Sequence, residues 1–188
     1  MSTPIDDDPM DLDFTKIFAP ETTVSEPKRT AAEEKQIADE AVIGESKLTS
    51  NGYFVRLNNS APKRPPRGQP ASILVVEDDT VTATLLIRIL SANGFKATHA
   101  GTREGILNGL KKTPDLVILD VLMPDANGFD ILNRIRQHPA LKDMPVLMLT
   151  SLGALDDILK GLKLGVNGYL TKPAKSKALI DAIKSVLS

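Results

Sequence analysis

From residue 72 to the end of this 188-residue chain, short runs of branched apolar residues alternate five times with segments of helical periodicity. No other property restricts the fold as tightly, because each strand–helix–strand step needs a crossover and so sets successive strands parallel in one sheet. The predicted strands are 73–76, 95–99, 116–119, 146–149 and 168–170, and the predicted helices span about 80–93, 102–112, 128–137, 153–164 and 175–187. The runs ILVV, LVIL and VLML are apolar at every position, the pattern of strands covered on both faces. Residues 71–188 are therefore expected to form one α/β domain, a doubly wound parallel sheet of five strands.

Residues 1–70 have a different texture, with prolines, charges and small polar residues and few large apolar side chains. They are expected to be a mostly disordered extension, since they cannot bury enough surface to offset chain entropy. Two islands interrupt it. Residues 31–43 are rich in helix formers, with Thr30 as N-cap, Gly44 as stop and a thin apolar stripe of Ile37, Ala41 and Val42. Asn51-Gly52 before Tyr53-Phe54-Val55-Arg56-Leu57 is a weak hairpin or single-strand signal, and 61–70 is a Pro/Arg linker.

Charge follows the same division. Residues 1–27 hold seven acids against one lysine, 47–70 hold five bases and no acid, and 71–188 hold fourteen bases and twelve acids, so the overall −1 averages unlike regions. The basic stretch beside its prolines is expected to be a solvated linker rather than a nucleic-acid contact. The acidic start, DDDPMDLDFTKIF, intersperses Met10, Leu12, Phe14, Ile17 and Phe18, a spacing suited to folding on a partner or to plain disorder. Cysteine is absent, which excludes disulfides, thiolate metal sites and thiol catalysis. His99 and His138 are expected to be structural. The start of the chain shows neither a basic region nor an apolar leader, and no run approaches the roughly 18 apolar residues of a membrane span, so a soluble cytoplasmic protein is expected.

In an open α/β sheet, functional groups collect beyond the carboxyl ends of the strands. Here the first strand ends in Glu77-Asp78-Asp79, the third in Asp120, the fourth in Thr150-Ser151 and the fifth in Lys172-Pro173. Carboxylates this close repel one another unless they share a cation, and Mg²⁺, which binds through oxygen, suits them. An aspartate in such a site can act as a nucleophile towards phosphorus. Taken singly, these residues have plainer readings: strand-end acids, a helix cap, a solvated lysine.

Together, ILVVEDD (73–79), DLVILDVLMPDANGFDIL (115–132), PVLMLTS (145–151) and GVNGYLTKPA (165–174) resemble the receiver domain of bacterial two-component response regulators. The resemblance implies a flavodoxin-like fold with strand order 2-1-3-4-5. Asp120 resembles the phosphoacceptor, and Glu77 and Asp78 the acidic pair that holds Mg²⁺ together with Asp120 and the backbone carbonyl of Leu122. Thr150 looks like the switch hydroxyl that turns inward to the phosphoryl group, and Tyr169 like the switch aromatic that follows it. Lys172 resembles the lysine that pairs with the phosphoryl oxygens, with Pro173 after it through a peptide bond often cis in the family. Asp79 has no counterpart in the matched pair.

The resemblance implies a cytoplasmic switch that accepts phosphate from a histidine kinase or histidine phosphotransfer protein. Its enzymatic character would be limited to Mg²⁺-dependent self-phosphorylation and autodephosphorylation. Output is expected through protein contacts rather than specific DNA binding, on the face of the fourth receiver helix (153–164), fifth strand (168–170) and fifth helix (175–187), with no output domain after Ser188. Three departures qualify this. Val166-Asn167-Gly168 replaces the acid used in the symmetric dimer of winged-helix regulators, which counts against that geometry but leaves a phosphorylation-dependent dimer open. Ala174 stands where Phe is common, and apolar Leu122 and Leu152 point to a long-lived phosphoryl group. The alternatives are a pseudo-receiver scaffold and an aspartate-nucleophile phosphatase, the latter disfavoured because Leu122 stands where such enzymes place a second acid.

Overall fold

Where the sequence is apolar at consecutive positions, the chain runs through the middle of a sheet. The computed structural model describes residues 17–18, 28–56, 69–124, 126–151 and 154–188. Its elements in chain order are α1 (Ala31–Asn51), β1 (Tyr53–Val55), β2 (Ser72–Val76), α2 (Thr80–Ala92), β3 (Lys96–Ala100), α3 (Arg103–Leu110) and β4 (Leu116–Asp120). A small hairpin of β5 (Leu122–Met123) and β6 (Ala126–Asn127) follows, then α4 (Gly128–Gln137), β7 (Val146–Thr150), α5 (Leu155–Leu164), β8 (Gly168–Thr171) and α6 (Ser176–Leu187).

The main sheet has the order β1-β8-β7-β4-β2-β3. Its five parallel strands give the expected 2-1-3-4-5 arrangement, with β2 flanked by β3 and β4. Alternate residues of the apolar strands serve opposite faces. Leu74, Val76, Val117, Leu119, Val146 and Met148 join the core on the side of α3, α4 and α5. Ile73, Val75, Leu116, Ile118, Leu147 and Leu149 pack on the other side, with Leu86 and Leu90 of α2 and Leu179 and Ile183 of α6. Strand β3 lies at an edge and is mostly exposed, which is why Lys96-Ala-Thr-His-Ala100 lacks a continuous apolar run.

The amino-terminal region departs from expectation. Within 28–56 the chain is not disordered: α1 runs eight residues past 43, and β1 adds a sixth strand, antiparallel, to the β8 edge. The start is as expected, with Thr30 accepting from the Glu33 amide and Glu33 reciprocating on the Thr30 amide in a capping box. The stop is Gly52 rather than Gly44; its φ of 78° is a left-handed cap that glycine adopts without strain. Gly44 lies in the buried stripe Ile37, Ala41, Gly44 and Leu48 that faces α5, while Val42, expected in that stripe, is 56% exposed. The face expected to carry output, formed here by α5, β8 and α6, is packed against α1 and β1 of the same chain.

Of the acidic–hydrophobic motif, Met10, Leu12 and Phe14 lie outside the described residues. Ile17 is buried and the half-buried Phe18 ring lies 5.5 Å from the Arg103 guanidinium carbon. No helix among the described residues is long and apolar enough to cross a membrane.

Candidate functional site

Strands β2 and β4 are neighbours, and the chain leaves β2 towards β3 on one side and β4 on the other, which opens a crevice at their carboxyl ends. Glu77 follows β2 directly and Asp120 is the last residue of β4. Both are nearly inaccessible, at 1% and 4% exposure. Lys172, just beyond β8, reaches across with Nζ 2.7 Å from Glu77 Oε2 and 2.7 Å from Asp120 Oδ2. The remaining carboxylate oxygens accept from backbone: Glu77 Oε1 from the Asp79 amide and Asp120 Oδ1 from the Leu122 amide, each at 3.3 Å.

Asp78 is exposed, and oxygens of Glu77, Asp78 and Asp120 all lie within 4.8 Å of one another. These hard oxygen donors, two of them buried, suit a small divalent cation better than a soft metal. Burial pushes the Glu77 carboxyl above its ordinary range, and the nearby Asp120 charge pushes the same way against the opposing ion pair with Lys172. For Lys172, burial works against the ammonium, yet the bonds to Asp120 and Glu77 outweigh it and raise its pKa. The site thus holds more negative charge than one ammonium neutralises.

Strand β7 ends in Thr150, which is buried, and the Lys172 amide donates to its carbonyl at 2.7 Å. The Lys172–Pro173 peptide is cis. Tyr169 is 1% exposed and its hydroxyl donates to the carbonyls of Asp157 and Ile158, at 2.9 and 3.3 Å, in the first turn of α5. Met148 pairs with Tyr169 and Thr150 with Thr171, so Thr150 and Tyr169 share one face of the sheet. Leu122 is 70% exposed at the rim, and Leu152 lies outside the described residues.

Asp79 has a structural task, capping α2 by accepting from the Val81 and Thr82 amides; its bonds with Thr82 hold its carboxyl below the ordinary range. Two further residues shape the site and carried no signal. His99 Nε2 lies 2.7 Å from the Glu77 carbonyl, a contact that fixes the backbone under the acidic run. Gly128 opens α4 so close to Asp120 that a methyl group there would lie 2.1 Å from the Asp120 carbonyl oxygen. His138 is the C-cap of α4, as its expected structural role requires.

Comparison with known proteins gives a consistent result. Residues 73–184 match the family model described as the response regulator receiver domain. The chain is similar to the transcriptional regulatory protein SilR of Salmonella typhimurium, 41% identical over 116 residues, which is 61% of this chain and 50% of that protein. It is similar also to the phosphate regulon transcriptional regulatory protein PhoB of Escherichia coli K12, 34% identical over 116 residues, 61% of this chain and 51% of that protein. The chain thus spans about half the length of these relatives. Among solved structures, chemotaxis protein CheY4 of Vibrio cholerae superimposes with a TM-score of 0.60 at 28% identity, covering 63% of this chain and 99% of that one.

Proposed function

Since this chain belongs to the response regulator receiver domain family, we propose that it is a phosphorylation-dependent switch in a two-component system, receiving a phosphoryl group on Asp120 from a histidine kinase or histidine phosphotransfer protein. The observation that supports this best is the buried Glu77–Lys172–Asp120 group, where one ammonium contacts both carboxylates. Burying charge in this way is costly, and well-packed apolar residues would serve stability as well. A site that handles phosphate gives the arrangement a purpose.

Glu77, Asp78, Asp120 and the carbonyl of Leu122 would hold Mg²⁺. When bound, the ion supplies charge neutralisation for a transferring phosphoryl group. The chain's own part begins with an Asp120 carboxylate oxygen attacking phosphorus. The P–N bond to the donor histidine breaks, and the imidazole leaves with the electron pair and takes up a proton. Lys172, held at Asp120, then faces the new phosphoryl oxygens, and Thr150 turns its hydroxyl to them with Tyr169 following. Catalytic character ends there, with loss of the phosphoryl group to water as the reverse limb. Exposed, apolar Leu122 stands where an aspartate-nucleophile phosphatase would need its second acid.

Output is expected through protein contact in the cytoplasm. The relatives named as transcriptional regulatory proteins support gene regulation as a second reading, carried by parts of those proteins that the similarity does not reach. Incubation with acetyl phosphate, with Mg²⁺ or with chelator, comparing wild type and Asp120→Asn, tests the proposal. Labelling of the wild type alone and only with Mg²⁺ is the expected result, and an unlabelled wild type would favour a scaffold. Mobility shift of promoter DNA by the phosphorylated chain would establish the second reading.

A further inference from the structure

Residues 30–56 lie on the surface through which a receiver of this kind is expected to signal, and the contact is built from both sides. Strand β1 pairs Tyr53 with Leu170, Phe54 with Tyr169 and Val55 with Gly168. The Arg56 amide extends this ladder to the Asn167 carbonyl at 2.8 Å. At the other end, the Thr171 amide and hydroxyl both donate to the carbonyl of Gly52, the residue that caps α1, at 3.0 and 3.2 Å. Arg29, just before this segment, donates to the Lys163 carbonyl and Arg56 within it to the Leu162 carbonyl, so two cations satisfy the negative end of α5. Arg56 also pairs with Glu40 of α1 at 2.9 Å, tying the strand to its helix.

Two glycines are matched to this contact. A methyl group at Gly168 would lie 2.4 Å from the Phe54 carbonyl oxygen, and one at Gly44 would lie 2.9 Å from the Phe54 ring and 3.3 Å from Ile158. Gly168 belongs to the stretch that departs from the family's acidic dimer contact, and its small size here admits the chain's own strand. The edge of β8 is thereby closed to strand addition by any other chain.

Tyr169 and Phe54 are directly opposed on neighbouring strands, so their side chains share a face. Tyr169 is buried beneath α5, while Phe54 fills the flank beside it against Gly44 of α1. The β8 edge beside the tyrosine is therefore filled by the amino-terminal segment. The segment is also joined to the site: Thr171, which holds Gly52, pairs with Thr150 and precedes Lys172.

We propose that residues 30–56 are a built-in occupant of the α5–β8–α6 face that keeps Tyr169 in its buried position and thereby favours the phosphorylated form of Asp120. The inference rests on the switch reading of Asp120, Thr150 and Tyr169 given above. Linkage makes it reciprocal: whatever the docked segment contributes to the phosphorylated state, phosphorylation returns as tighter docking.

The test compares full-length wild type with Gly44→Val, which wedges α1 away from Phe54, and with Phe54→Ala, which empties the flank. Amide exchange at Thr171 reads docking, exchange at Val117–Leu119 confirms in the same samples that the receiver sheet is folded, and decay of acetyl-phosphate-derived label reads the coupling. The expected result is Thr171 exchange faster by about tenfold or more in both variants, unchanged core protection, and a phosphoryl lifetime several-fold shorter than in wild type. Equal Thr171 exchange in all three proteins, or loss of docking with an unaltered lifetime, would overturn the inference. A wild type that takes up no label while protecting Thr171 would instead locate the failure in the switch reading on which it rests.

Discussion

A lysine set 2.7 Å from each of two buried carboxylates cannot be removed without leaving two like charges face to face. Lys172→Ala is expected to cost about 1–3 kcal/mol at neutral pH, less than breaking a fully buried pair costs because Lys172 keeps some solvent contact. Chemical denaturation measures it, and a loss no larger than that of an exposed lysine such as Lys177 would contradict the reading. Tyr169 allows a pH prediction. Burial raises its pKa above the ordinary 10.0, with the Asp157 charge acting in the same direction. The unfolded chain then gives up this proton first, so the stability involved is complete below the ordinary value and is lost as pH rises beyond it. Tyr169→Phe is expected to cost about 1 kcal/mol at neutral pH and to flatten the alkaline fall in stability, read from unfolding curves on either side of the phenol's normal titration. Parallel alkaline limbs in both proteins would refute it.

The five parallel strands were legible because burial on both faces leaves continuous apolar runs, and even β3, an edge strand, was displaced by a single residue. The full length of α1 was not legible. Gly44 carries a helix-stop signal locally, yet its use is a close approach to Phe54 and Ile158, partners that only the tertiary fold supplies. Strand β1 falls within the weak single-strand signal of 53–57, but its pairing to the edge of β8 is made through backbone and has no signature in side-chain pattern. Asp79 fell to the plainer reading as a helix cap, and His99 and Gly128 act through backbone contacts that motif spacing cannot report. Gly128→Ala forces α4 away from the end of β4 and is expected to destabilise by about 1–3 kcal/mol, with phosphorylation lost more steeply than stability. A folded variant that labels at the wild-type rate would show that this approach is dispensable.

Across the whole molecule, the charge division of the sequence takes on a physical arrangement. Acids of the receiver gather at one sheet edge against Lys172, while Arg29 and Arg56 of the amino-terminal segment settle on the carbonyl end of α5. Glu77, Asp120, Thr150 and Lys172 come together because each lies at or just beyond the carboxyl end of a parallel strand, in the strand order the resemblance implied, while Tyr169 lies inside β8. The occupancy of the α5–β8–α6 face was hidden, since it depends on two segments more than a hundred residues apart meeting at an edge. That geometry makes the molecule a receiver whose α5–β8–α6 face is covered by its own chain.

The switch turns on Asp120 as the acceptor. Reduction of the acetyl-phosphate-treated protein with borohydride, which converts an aspartyl phosphate to homoserine, followed by peptide mapping, reads this directly. Homoserine at position 120 with intact aspartate at 78 and 79 is the expected result. Conversion at 78 or 79 with Asp120 unchanged, or no conversion in a folded protein, would contradict it.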